Sequence, residues 1–274
     1  MKVKQSKESR RSEKVIATMN KCILAFGTHP DDVEFMCAGT LALLAQRGFD
    51  IHIAVMAGGE MGSTALAPHQ IREKRIKEAK AACRVIGATV HFAGGQDLEI
   101  EYNSEYRRRT VRIMRDVDPA VVFAPPPGDY LIDHEETSRL VRNAAFAASV
   151  PNYDCGVPTQ PTACIPHLYY WNAVGLRDIF GRPLPLSCAV DIAPVLKLKT
   201  RMLRCHASQR AWLKYINGFD QYTRTMREMA TAEGARSGVK AAEGFIQHVG
   251  NGHPKDNILK KVLGRACVEL MRTK

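Results

Sequence analysis

Cys22-Ile23-Leu24-Ala25-Phe26-Gly27, followed without a break by Thr28-His29-Pro30-Asp31-Asp32-Val33-Glu34, is the stretch that decides the fold. Six mostly apolar residues closed by a glycine predict a buried strand that stops at a sharp turn. The turn then brings together one imidazole and three carboxylates. At the end of a buried strand that much charge is costly unless a counter-charge uses it. His nitrogen and Asp oxygen are both zinc ligands, and His29 and Asp32, three positions apart, are close enough in a tight loop to grip one ion. Asp31, between them, is placed to hold a proton rather than the metal. The plainer alternative is a solvated His-Pro turn, and partners farther along the chain decide between the two.

Working outward, residues 38–47 predict a helix closed by Gly48 in the C-cap position, and residues 50–55 a second strand. Strand, helix, strand in so short a span is a βαβ unit, which implies parallel strands and a right-handed crossover. Gly58-Gly59-Glu60-Met61-Gly62-Ser63 is rich in glycine but matches neither the dinucleotide fingerprint nor a phosphate-binding loop. Residues 70–86 form an amphipathic helix whose Arg72, Arg75 and Glu78 read by default as a solvated, ion-paired face. A third strand at 89–92 and a helix at 103–117 lead to a fourth buried strand at 120–124. The stiff loop Pro125-Pro126-Pro127-Gly128-Asp129-Tyr130-Leu131-Ile132-Asp133-His134 follows, with Asp133 expected as N-cap and Glu136 as its capping-box partner for a helix to 148. Beyond residue 150, strands are expected at 167–172 and 188–192, and helices at 193–206, 208–215 and 260–271.

The expected class is therefore α/β: a Rossmann-like three-layer α/β/α fold with a mostly parallel sheet and a core order of 3-2-1-4. In that order strands one and four are neighbours, and ligands bind in the crevice outside their carboxyl ends. The His29 loop follows strand one and His134 follows strand four, so two loops a hundred residues apart in sequence should meet. Two nitrogens and one carboxylate leave a fourth zinc position open for water, the arrangement of a catalytic site.

Composition bounds the rest. At 274 residues with 45% hydrophobic content the chain can bury a large core as one unit, taken as residues 21–274 behind a basic, disordered extension at 1–20. The net charge of +11 lacks interleaved aromatics or a nucleic-acid module, so no nucleic-acid partner is expected. No apolar run reaches the ~18 residues of a membrane span, and the N-terminus lacks the apolar segment of a signal peptide. Eight scattered cysteines without a C-x-x-C pair read as reduced thiols, and the expected location is cytoplasmic.

With these residues assembled, the chain resembles the PIG-L/LmbE-like family of zinc-dependent N-deacetylases. The likeness rests on His29-Pro-Asp-Asp-x-Glu34, Cys37-Ala-Gly-Thr-Leu, Gly58-Gly-Glu-Met-Gly-Ser and Arg75-x-x-Glu78-Ala. It continues through Asp133-His134, His206-Ala-Ser-Gln209 and Ala242-Glu243-Gly-Phe. The resemblance implies one Zn²⁺ per chain held by His29, Asp32 and His134, with Asp31 as general base. It implies hydrolysis of an N-acetyl group from an amino sugar conjugate such as an N-acetylglucosamine derivative, and it allows a homo-oligomer. Glu34 is expected to orient His29 or to serve structure alone, Arg75 to bind substrate or to pair along its helix, and Asp133 to stand behind the ligands.

One position departs from the pattern. Many members carry a second histidine three residues before the last ligand, associated with protonating or stabilising the oxyanion, and here that position is Leu131. Tyr130, His206 and His248 are the candidate replacements. The competing readings are another metal-dependent hydrolase, acting on an ester or a different amide, and a non-catalytic member binding a glycan or a protein.

Overall fold

The structure, a computed structural model, describes residues 19–217 and 221–270. The expected extension at 1–20 lies almost wholly outside those residues. One eight-stranded sheet runs in the order β3-β2-β1-β4-β5-β7-β6-β8. Its strands are β1 (Cys22–Gly27), β2 (Asp50–Ala57), β3 (Thr89–Gly95), β4 (Val121–Ala124), β5 (His167–Trp171), β6 (Cys188–Asp191), β7 (Ala242–Gln247) and β8 (Cys267–Glu269). The first five pair in parallel, and β5–β7, β6–β7 and β6–β8 pair antiparallel. The 3-2-1-4 core is as the sequence implies.

β1 explains why its run is continuously apolar. Residues 23–26 are all fully buried, with Ile23 and Ala25 in one core cluster and Leu24 and Phe26 in the other. A parallel strand covered on both faces has no polar side to show. The first face is covered by α1 (Asp32–Met36) and α2 (Ala38–Ala45), the second by α4 (Ser104–Val117) and α5 (Ile132–Ala147). α3 (Pro68–Arg84), α6 (Leu196–Leu203), α7 (Ala207–Asn217), α8 (Tyr222–Ser237) and α9 (Ile258–Leu263) complete the helices.

Three expectations need correction. Asp133 is not an N-cap: the helix begins at Ile132 after Leu131, and the Asp133 carboxylate accepts the backbone N–H of Leu98 at 2.7 Å instead. The expected helix at 260–271 stops at Leu263, because Gly264 turns the chain at φ 58° and Cys267–Glu269 adds a strand to β6. The helix expected over 193–206 covers only Leu196–Leu203, so His206 follows it in a turn. Residues 222–237 and 242–247, for which no element is predicted from periodicity, form α8 and β7.

β7 ties the far side of the sheet to the start of α2. Glu243 accepts the backbone N–H groups of Gly39 (2.8 Å) and Thr40 (2.7 Å), the Thr40 hydroxyl (2.6 Å), and Lys199 Nζ (2.6 Å). A carboxylate at a helix N-terminus satisfies orphan donors and complements the helix dipole. Position 39 must be glycine for this approach, since a Cβ there would lie 2.7 Å from Ile192 and 2.9 Å from Glu243 Oε1. The buried lysine neutralises the charge.

Candidate metal centre

The two loops meet as the topology requires, since β1 and β4 are paired and both end at the same edge. Asp32 Oδ2 accepts the backbone N–H of Thr28 (2.9 Å) and His29 (2.8 Å), which closes the first loop on itself. The same oxygen lies 3.8 Å from His29 Nδ1 and 3.6 Å from His134 Nε2. These three residues offer ligand atoms all within 4.8 Å of one another, and the two rings are 5.5 Å apart between centroids.

The outer nitrogens face carboxylates. His134 Nδ1 is 3.3 Å from Asp129 Oδ2, and His29 Nε2 is 2.9 Å from Asp97 Oδ1 and 3.4 Å from Asp133 Oδ2. A second grouping of possible ligands, His29 with Asp97 and Asp133, is this outer side of the same ring. Carboxylates behind ligating histidines fix the ring and raise its basicity. Burial alone would push both imidazoles down, but Asp133 and Asp97 outweigh it and lift His29 to about 10. Asp32 and Asp129 likewise raise His134.

The buried charge and the donor set are the test of fit. Asp31, Asp97, Asp129 and Asp133 are each less than a tenth exposed around two imidazoles, and so much buried negative charge calls for a cation. The donors are nitrogen and carboxylate oxygen, which suit Zn²⁺ and leave a coordination position free. The residues fit the ion.

Asp31 stands beside the three without joining them. Its backbone is held at φ 114°, ψ −23°, a region that L-residues avoid. Its Oδ1 is 3.4 Å from Arg75 Nη2, and its Oδ2 accepts a hydrogen bond from the Tyr222 hydroxyl. Burial raises the Asp31 carboxyl above the ordinary value in spite of Arg75.

Arg75 lies against the Asp31 loop and does not pair along its helix. It donates to the carbonyls of Pro30 (2.8 Å) and Gly59 (3.0 Å) as well as to Asp31, while Glu78 turns to the backbone and hydroxyl of Ser208. The glycine-rich segment makes room for this guanidinium. Gly59 sits at φ 69°, and a Cβ there would fall 2.0 Å from Arg75 Nη1.

Other candidates fall elsewhere. Glu34 does not orient His29; its carboxylate lies 3.5 Å from His206 Nε2, and both are buried. Neither is among the residues lining the cavity described below, and neither is His248, which contacts Tyr170 and His253. His206 and His248 are thus not placed to replace a histidine at position 131. Tyr130 stands edge-on to His134 at 5.3 Å and is two-thirds exposed.

The cavity above these groups measures about 810 Å³. Its walls include Phe35, Trp171, Trp212 and Leu131, and Arg210 and Lys214 on α7 also line it. Sequence reasoning misses Asp97, Asp129 and Tyr222. Asp129 belongs to the loop already singled out, and Asp97 follows β3 at the edge where the other loops lie, so position alone would have flagged both. No local pattern marks Tyr222.

The chain is similar to known proteins over most of its length. The chain is 28% identical over 228 residues to the diacetylchitobiose deacetylase of Thermococcus kodakarensis, covering 79% of this chain and 82% of that protein. It is 24% identical over 244 residues to the 4-oxalmesaconate hydratase of Pseudomonas putida, covering 86% and 90%. The N,N'-diacetylchitobiose deacetylase structure from Pyrococcus horikoshii superposes with a TM-score of 0.70 at 23% identity, covering 90% of this chain and 95% of that one, a likeness of fold. The model of the PIG-L family, described as GlcNAc-PI de-N-acetylase, matches residues 24–145, from β1 into the helix carrying His134, and over that stretch the chain is similar to the family.

Proposed function

We propose that the protein is a zinc-dependent hydrolase that removes an N-acetyl group from an amino sugar conjugate, with His29, Asp32 and His134 as metal ligands and Asp31 as the base. The observation that carries this reading is the pairing of a two-histidine, one-carboxylate cluster with a separate buried carboxylate, Asp31, beside it. A divalent ion bound there supplies Lewis acidity, polarising the amide carbonyl and bringing the pKa of water to ~7.

Asp31 takes the proton of the attacking water as the new C–O bond forms at the amide carbon. The protonated carboxyl then gives that proton to the leaving nitrogen as the C–N bond breaks, so that water and amide become acetic acid and amine, which leave as acetate and ammonium once the acid's proton passes to the amine. Asp129 and Asp97 keep the two imidazoles turned to the ion. Trp171, Trp212 and Phe35 offer apolar faces to the sugar or its substituent.

The similarity to a hydratase favours one other reading, addition of water to an unsaturated acid on the same scaffold. A panel separates them. Zinc-loaded protein is incubated with N,N'-diacetylchitobiose, an aryl acetate ester and an unsaturated dicarboxylate, and released acetate and loss of the conjugated double bond are followed. Acetate released from the amino sugar with the dicarboxylate unchanged is expected; hydration without acetate release would replace deacetylation.

A further inference from the structure

Leu131 leaves the cavity with no imidazole among its lining residues except those of His29 and His134. In the reading above the proton therefore passes through Asp31 alone, and what holds that carboxylate sets the geometry of the transfer. Among the described residues its carboxylate has two hydrogen-bond partners, Arg75 and Tyr222. Arg75 is aimed mainly at the Pro30 and Gly59 carbonyls and reaches Oδ1 only at 3.4 Å. Tyr222 makes the closer contact, with its hydroxyl donating to Oδ2.

Tyr222 arrives from a different part of the chain, at the first turn of α8, 191 positions beyond Asp31. Its ring packs beside Phe35 at 5.8 Å and joins a small cluster with Leu203 and Met226. It is 6% exposed, yet it lines the cavity. Its ring is thus anchored by packing, and the hydroxyl is its polar contact with the reacting region. Asp31, with its backbone at φ 114°, needs such an anchor, because a strained residue persists only when its surroundings over-determine it.

We propose that Tyr222 is a positioning residue of the reaction: its hydroxyl fixes one oxygen of Asp31 so that the other faces the attacking water. The C-terminal part of the chain, through α8, then completes a proton-transfer site otherwise built from the loop after β1 and from Arg75 on α3. Tyr222 keeps its own proton throughout; the transferred proton passes from water to Asp31 and on to the amine. This role rests on the deacetylase reading above.

The test is Tyr222→Phe, which keeps the ring and its packing, alone and combined with Asp31→Asn. Since misplacement by about 1 Å can cost about a hundredfold in rate, Tyr222→Phe should lower kcat by about that factor. KM should stay within about twofold and zinc content should be unchanged. In the Asp31→Asn background the same substitution should cost nothing further. Undiminished kcat overturns the proposal, and so does an equal loss in the Asp31→Asn background, which would mean that Tyr222 acts on the substrate directly. A readout independent of turnover is the hydroxyl proton resonance of a buried tyrosine bonded to a carboxylate. It should be present in the wild type, absent in Tyr222→Phe and shifted in Asp31→Asn. If the wild type hydrolyses no amide, the deacetylase reading falls, and the absence of this resonance would separately remove the pairing.

Discussion

Asp31→Asn should keep its metal and lose turnover by about 10²–10⁴-fold, the usual worth of a positioned general base. Asparagine is close in shape to aspartate and is among the few residues enriched at positive φ, so the strained backbone at position 31 is disturbed as little as any substitution allows. An amide can still accept the hydrogen bond from Tyr222, but it cannot take a proton from water. The loss should fall on kcat, with zinc content equal to that of the wild type by elemental analysis. A variant with near-wild-type kcat would remove Asp31 as the base and move that role to a group not yet identified.

The second large effect concerns stability. Glu243→Ala should destabilise the protein by about 3–5 kcal/mol, because it strands Lys199 as an uncompensated buried charge. Both side chains are only 2% exposed, and the carboxylate also serves two backbone donors and the hydroxyl of Thr40 at the start of α2. Denaturant unfolding followed by circular dichroism reads the difference as a lowered midpoint. A shift worth less than about 1 kcal/mol would mean that water reaches Lys199 and that the pair is not buried in solution. The damage should extend to the site, since α2 follows directly on α1 and the His29 loop.

The half of the molecule that bears the His29, Asp32 and His134 cluster is legible because its signals are local. β1 is apolar throughout because both faces are covered, and the polar residues crowd into the loop that follows it. Parallel order then brings His134 beside His29 with no further information. The second half was harder. β7 reads Ala-Glu-Gly-Phe-Ile-Gln, with a buried charge at Glu243 that only Lys199 and the α2 terminus explain, so its alternation gives no strand signal. At the C-terminus, helical periodicity continued past Gly264, where backbone geometry and pairing with β6 overrode it. Asp133 shows the same limit: its spacing fits a capping box, but the chain uses the carboxylate between Leu98 and His29. The partners of Glu34 and Asp31, His206 and Tyr222, lie too far away in sequence for spacing to reveal.

Metal content per chain, compared between the wild type and His134→Ala after zinc loading and exhaustive dialysis, tests the account most directly. His134 Nε2 faces Asp32 Oδ2 at 3.6 Å, and its removal takes away one of three ligands without touching Asp31 or Arg75. About one zinc in the wild type and little in the variant is the expected result, as for a site that needs all three ligands to hold an ion. No retained zinc in the wild type, or retention undiminished by the substitution, would contradict the site.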